Sequence, residues 1–167
     1  MEFTSNRDEH PWLIADDSWQ EGFLSRSQTP RLDPSQLTKR RNALQKYILI
    51  ALGGALGSIL RYWVGSTVSG RMGVRFPYGT LLVNITACIV IGFTLTYLGK
   101  RADLNPAWRY LIPVGFIGAY STFSTYEWET LSTMRSGAFL LAGVYAIGSL
   151  VLGLAATWCG TALAELL

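Results

Sequence analysis

Four stretches of this chain are each long and apolar enough to fill a bilayer, and the joins between them are too short to fold alone. As a helix, a crossing of hydrocarbon takes about 20 predominantly apolar residues. The stretches run about Tyr47 to Val68, Tyr78 to Leu98, Arg109 to Leu131 and Gly137 to Ala162. The joins, Ser69 to Pro77, Gly99 to Trp108 and Ser132 to Ser136, leave no room for a soluble domain. Hydrocarbon offers backbone N–H and C=O groups no partner, so such segments must pair their own as helices. The sequence therefore predicts an all-α membrane protein of four transmembrane helices per subunit, with both termini on the same side.

Charge divides the 167 residues in two. Residues 1–46 carry seven acidic and seven basic side chains, whereas residues 47–167 hold four and seven. The first region reads as a polar, flexible extension and the second as the membrane domain. The extension lacks the basic start and apolar core of a signal peptide. Its aromatics Phe3, Trp12, Trp19 and Phe23 make the stretch from Trp12 to Phe23 a candidate docking segment. It ends in Lys39, Arg40, Arg41 and Lys46, a basic collar that serves either as a topology signal or as a contact for lipid headgroups. The net charge of +3 is scattered over membrane ends, which excludes a nucleic-acid surface. Leaving out Lys39 to Arg41, the balance is four basic groups on the terminal side (Lys46, Lys100, Arg101, Arg109) against three (Arg71, Arg75, Arg135). A bias that small does not fix orientation, whereas counting the collar tips it toward a cytoplasmic N-terminus.

Enzyme chemistry has little to work with. The one histidine, His10, lies in the extension without a catalytic partner, and there is no CxxC pair or histidine cluster. Cys88 and Cys159 sit inside apolar stretches and read as small buried hydrophobes.

The spans nevertheless carry polar faces. In the first, Gly53, Gly54 and Gly57 have the small-residue spacing that brings helix backbones together. Arg61 lies deep in the same span, where it must either snorkel to the interface or face a pore or a subunit contact. In the second, Thr80, Asn84, Cys88 and Gly92 recur every four residues on one face. Asn84 there either bonds another helix or lines a polar path. Tyr145, Ser149, Gly153 and Thr157 form a like stripe on the fourth.

The third span is the most unusual. Its stretch from Gly115 to Tyr126, GFIGAYSTFSTY, puts two glycines, four serine and threonine hydroxyls and four aromatics where leucine and valine would serve an anchor. Gly115 and Gly118 weaken a helix, while Ser121, Thr122, Ser124 and Thr125 divert backbone hydrogen bonds. Carbonyls freed in this way suit a hard cation such as sodium. Phe123 and Tyr126, three apart, project from nearly the same face. Ring edges are weakly positive. With hydroxyl hydrogens and the amide of Asn84 they suit an anion held loosely enough to leave. Chloride and fluoride are not separated by this chemistry.

Three stretches, GGALGSILRY (Gly53 to Tyr62), YGTLLVNITACIVIG (Tyr78 to Gly92) and GFIGAYSTFSTY, occur in order on successive spans. Together they make the chain resemble the Fluc (CrcB) fluoride channels over about Lys46 to Gly160. The resemblance implies an antiparallel, dual-topology homodimer in the cell membrane, two fluoride pathways, and a third helix broken near its middle. It implies a structural sodium ion held by backbone carbonyls, at positions matching Gly118 and Ser121. Phe123 and Tyr126 fall on the pore aromatics, Asn84 on the pore asparagine, and Ser124 and Thr125 on the hydroxyl positions between the rings. Tyr145, Ser149 and Gly153 fall on the polar track of the fourth helix. Three features depart from the pattern: Tyr126 replaces phenylalanine, Gly153 lacks a hydroxyl, and the N-terminal extension is long. Glu129 and Arg61 are candidates for a pore mouth or subunit interface, and Glu127 reads as an ordinary interfacial charge.

The implied function is passive fluoride export, with fluoride, membrane lipid and a second copy of the chain as partners. One rival is a small four-span proton-coupled cation exporter, whose carboxylate would have to be Glu127 or Glu129. The other is a non-transporting scaffold whose extension recruits a soluble partner.

Overall fold

The computed structural model describes residues 33–167 apart from Val74 and Ala102. The proposed docking stretch from Trp12 to Phe23, with most of the extension, lies outside the described residues. Helix α1 spans Pro34–Met72, α2 spans Tyr78–Lys100 and α6 spans Phe139–Glu165. Between α2 and α6 lie α3 (Ala107–Arg109), a π-helical stretch Tyr110–Ile117, α4 (Gly118–Tyr120) and α5 (Phe123–Arg135). Among the described residues, three helices are long and apolar enough to cross a membrane: α1, α2 and α6.

Helix α1 begins well before the expected Tyr47. Asp33 caps it, accepting the Ser35 amide at 3.0 Å and the Ser35 hydroxyl, while its own carbonyl takes the Gln36 amide at 2.8 Å. With no glycine or proline between Ser35 and Leu52, nothing stops the helix where composition turns from polar to apolar. The change at Tyr47 is thus one of polarity and not of backbone. The helix ends at Gly73, which adopts φ +83°. A second positive-φ glycine, Gly137 at φ +84°, turns the chain from α5 into α6. There the Gly137 amide donates to Met134 and the Ala138 amide to Thr133, the paired bonds that close a Schellman cap.

Close packing follows the glycines. A β-carbon on Gly53 or Gly57 of α1 would run into the backbone at Leu111 or Phe116, and one on Gly115 would meet that of Ile50. Gly92 of α2 lies against the backbone of Thr157, and Gly160 of α6 against that of Ile89. The residues read as an association motif on the first span thus hold α1 to the π-helical stretch. Gly54 meets only ordinary contacts. A small core of Val83, Ala87, Ile117 and Tyr120 lies at the crossing of α2 with that stretch.

Apolar side chains elsewhere point outward, as Leu52, Leu56, Ile59 and Trp63 do on α1 and Leu140, Ile147, Leu154 and Trp158 on α6. Cys159 is exposed and Cys88 half-buried, so the expectation of two buried cysteines is corrected. On a span the outer solvent is hydrocarbon, where a thiol, a small hydrophobe with only a weak S–H donor, costs little.

Candidate functional site

The segment from Ala107 to Arg135 is where regular helix fails, and its residues explain the failure. Pro113 has no amide to give, and its ring crowds the preceding turn, which widens into π-helical geometry from Tyr110 to Ile117. The helix resumes for three residues and then stops. Ser121 is extended at φ −73°, ψ 158°, as is Thr122 at φ −148°, ψ 112°.

Side chains take over the hydrogen bonds the helix gives up. The Thr122 amide donates to Asn84 Oδ1 at 2.9 Å, and Asn84 Nδ2 donates back to the Thr122 carbonyl at 3.1 Å. Asn84 thereby substitutes for a strand partner. Thr122 Oγ1 caps α5, accepting the Thr125 amide at 3.3 Å and donating to Thr125 Oγ1 at 2.9 Å. In an unbroken helix the amides of Thr122 and Thr125 would close turns on the carbonyls of Gly118 and Ser121. Both are drawn elsewhere. The Ser121 hydroxyl folds back on the Ile117 carbonyl at 3.1 Å. On the near side of the stop, the Tyr120 hydroxyl meets Thr86 Oγ1 at 2.9 Å.

Beyond the stop, the aromatics form a row. Phe123 and Tyr126 lie 5.8 Å apart between ring centres, Tyr126 and Tyr145 5.3 Å, and Tyr145 and Phe76 5.4 Å edge to face. Tyr126 donates its hydroxyl to the Ala146 carbonyl of α6 at 3.1 Å. Tyr145 is 1% exposed, whereas Phe123 is 74% exposed. Ser149, one turn beyond Tyr145, has a buried hydroxyl oxygen without a hydrogen-bond partner among the described residues. Such an orphan is uncommon.

Glu129 joins three helices. Its Oε1 accepts from Thr80 of α2 and its Oε2 from Tyr145 of α6, each at 2.8 Å. Beside it a recess of about 450 Å³ is lined by Arg61, Ser58, Thr80, Thr122, Thr125 and Glu129, among others. Arg61 is half-buried on this recess. One side of the interruption therefore offers a guanidinium, a carboxylate and several hydroxyls within one opening.

The structure brings Asn84, Thr122 and Thr125 together at the stop, bonds Tyr145 to Glu129, and sets the Tyr126 ring against that of Tyr145. Ser124, Glu127 and Gly118 are exposed. Gly153 lies next to the Cys88 thiol. Sequence reasoning missed Phe76, which it left in a join, and the Tyr120–Thr86 pair. An aromatic directly before Pro77 and Tyr78 was the available signal for the first, and nothing in the spacing pointed to the second.

Among the described residues, fold and site together define an all-helical protein with several helices apolar enough to cross a membrane and a recess and an aromatic row let into them. Residues 48–161 match the family model described as CrcB-like protein, Camphor Resistance (CrcB), and the chain belongs to that family. A relative from Acidobacterium capsulatum is 53% identical over 115 residues, covering 69% of this chain and 92% of that protein. One from Solibacter usitatus is 47% identical over 120 residues, covering 72% and 98%. One from Thermus thermophilus is 43% identical over 117 residues, covering 70% and 93%. All three are named Fluoride-specific ion channel FluC.

Proposed function

We propose that this chain is a subunit of a fluoride-specific channel that lets the anion leave the cytoplasm down its electrochemical gradient, limiting fluoride toxicity. The observation that carries the reading is the unpartnered Ser149 hydroxyl, buried one turn beyond Tyr145 and the aromatic row. A buried hydroxyl without a partner among the described residues, one turn along α6 from Tyr145, is a donor that a small anion can use. The names of the relatives agree with this. Hydrogen fluoride enters uncharged and dissociates in a more alkaline interior, trapping fluoride there. An inside-negative potential then drives the anion out with about 2.3 kcal/mol per 100 mV. No bond is made or broken, so the protein is not an enzyme.

The finer architecture belongs to the same proposal. The pieces from Ala107 to Arg135 form one interrupted span, the third of four, and put both termini on the same side. A second, antiparallel copy covers Phe123, which a single chain leaves exposed, and the basic balance, near-even once Lys39 to Arg41 are left out, allows both orientations to insert. Arg61 draws the anion into the recess, and Asn84, Phe123, Ser124, Thr125, Tyr126, Tyr145 and Ser149 flank its path. Sodium fits the interruption, because the Gly118 and Ser121 carbonyls lose their helical amides to Asn84 and Thr122. These two residues would hold the ion, which would fix the interrupted backbone electrostatically.

Purified protein in liposomes tests the reading. Fluoride efflux that chloride cannot replace is expected, and pH-coupled uptake of a cation in its place would favour the exporter. Rigorous removal of sodium is expected to abolish efflux; full activity without it would remove sodium from the scheme.

A further inference from the structure

A second recess lies at the terminal-side end of the spans and shares no lining residue with the one beside Glu129. It is a cleft of about 240 Å³ between α1 and the join before α3, lined by Asn42, Gln45, Lys46, Leu49, Asn105 and Tyr110, among others. The Lys46 ammonium sits 5.0 Å above the centre of the Tyr110 ring. That contact fixes the cation without using its N–H donors.

Three other basic side chains of this end are committed elsewhere, while Lys39, Arg40 and Arg41 are exposed and outside the lining. Lys100 donates to the carbonyls of Ala164 and Glu165, Arg109 donates to that of Leu98, and Arg101 stacks on Tyr97. Lys46 donates to no protein acceptor among the described residues. Asn105 accepts the Ala107 amide through Oδ1 at 2.9 Å, which leaves its Nδ2 as a donor. Asn42 and Gln45 add side-chain amides. Among the described residues no carboxylate lines the cleft; Asp103, two residues before Asn105, is exposed and outside the lining. The cleft is therefore a convergent set of N–H donors around one positive charge.

Its surroundings are those of a membrane edge. Tyr47 and Trp108 are exposed next to lining residues, as interfacial aromatics are. Farther along α1, Leu52 and Leu56 are exposed and lead from Leu49 toward the middle of the span. Donors above and an apolar run below match a phosphodiester headgroup with its acyl chain.

We propose that the cleft binds one anionic phospholipid, its phosphate oxygens on Lys46, Asn42, Gln45 and Asn105 and its acyl chain along Leu52 and Leu56. A single interfacial lysine contributes about 1 kcal/mol toward an anionic surface, or about fivefold in occupancy. Native mass spectrometry of the full chain, purified with equimolar phosphatidylglycerol and phosphatidylcholine, reads this directly. The wild type is expected to retain phosphatidylglycerol about fivefold over phosphatidylcholine. Lys46→Gln and Gln45→Glu should bring that ratio near one, while Lys100→Gln leaves it unchanged and millimolar glycerol 3-phosphate does not compete. An absent preference in the wild type, a preference that survives Lys46→Gln, or an equal loss in Lys100→Gln would overturn the proposal. Displacement by glycerol 3-phosphate would also overturn it, by making this a site for free phosphate. Fluoride efflux by Lys46→Gln liposomes should match wild type, which certifies the fold and keeps this test separate from that of the channel.

Discussion

The pair α2 and α6 and the segment from Ala107 to Arg135 solve the same problem in opposite ways. Both must bring helices together in a solvent with no hydrophobic drive between them. The pair does it with glycine, seating Gly92 on the Thr157 backbone and Gly160 on that of Ile89. Its helices stay regular. The interrupted segment uses glycine in its first half, where Gly115 meets α1, and polar side chains in its second, where Asn84, Thr80 and Tyr145 reach it from α2 and α6. Small residues give closeness, whereas amides and hydroxyls permit an ordered stop. Only the second arrangement draws amides away from helical carbonyls, those of Thr122 and Thr125 from Gly118 and Ser121.

If that contrast is right, filling a glycine of the pair should damage the whole molecule. Gly160→Leu places a side chain where the Ile89 backbone lies, and neither backbone can yield. A loss of about 3 kcal/mol is expected, at the upper end for overpacking. It would appear as a collapse of the monodisperse fraction in size-exclusion chromatography. Normal yield would mean that the pair is not backbone-limited.

A change at the stop should strike transport harder than folding. Asn84→Asp keeps the acceptor for the Thr122 amide but loses the donor to the Thr122 carbonyl, and brings a negative charge to the path. Leaving that carbonyl unpaired costs about 1–3 kcal/mol. Fluoride efflux from liposomes should fall about a hundredfold, equivalent to about 2.7 kcal/mol of barrier, in protein that still elutes as wild type. Unchanged flux in such protein would take Asn84 off the path.

Ser149→Ala separates the two regions more finely, because Ser149 belongs by position to α6 and by chemistry to the site. Removing a buried hydroxyl with no partner should leave thermal stability equal or slightly raised. If the hydroxyl serves the ion, efflux falls about fivefold at the same time, roughly 1 kcal/mol of a single donor. Stability and flux moving together would make Ser149 a packing residue.

How much of this was legible in the sequence follows the same division. Regular helices announce themselves by apolar length, so α2 and α6 were placed within about three residues at their ends. The start of α1 was not, because an apolar count cannot detect a helix that continues into polar sequence capped by Asp33. The helix-weakening composition around Ser121 and Thr122 was visible. The partner that completes it was not: Asn84 is 38 residues away, and its amide could equally have faced a path or another helix. The same holds for Glu129, whose two hydroxyl donors come from helices on either side of it in the chain. Local chemistry shows that a backbone is weakened, and only packing decides what answers it.

Tyr126→Phe is the mildest test and the sharpest on chemistry. Against the family pattern the phenol is an extra group, and an ion path could have used it as a donor. In the structure that hydroxyl is spent on the Ala146 carbonyl, which ties α5 to α6 while the ring stays between Phe123 and Tyr145. Its removal should therefore cost about 1 kcal/mol of stability, one hydrogen bond's worth, and leave fluoride efflux within about twofold of wild type. The stability loss belongs to the packed region and the preserved flux to the path, so the one substitution reads both. Loss of transport with the melting temperature intact would reverse that assignment: the hydroxyl would be turning from Ala146 to the ion, and the edges of the ring would no longer suffice as its donors.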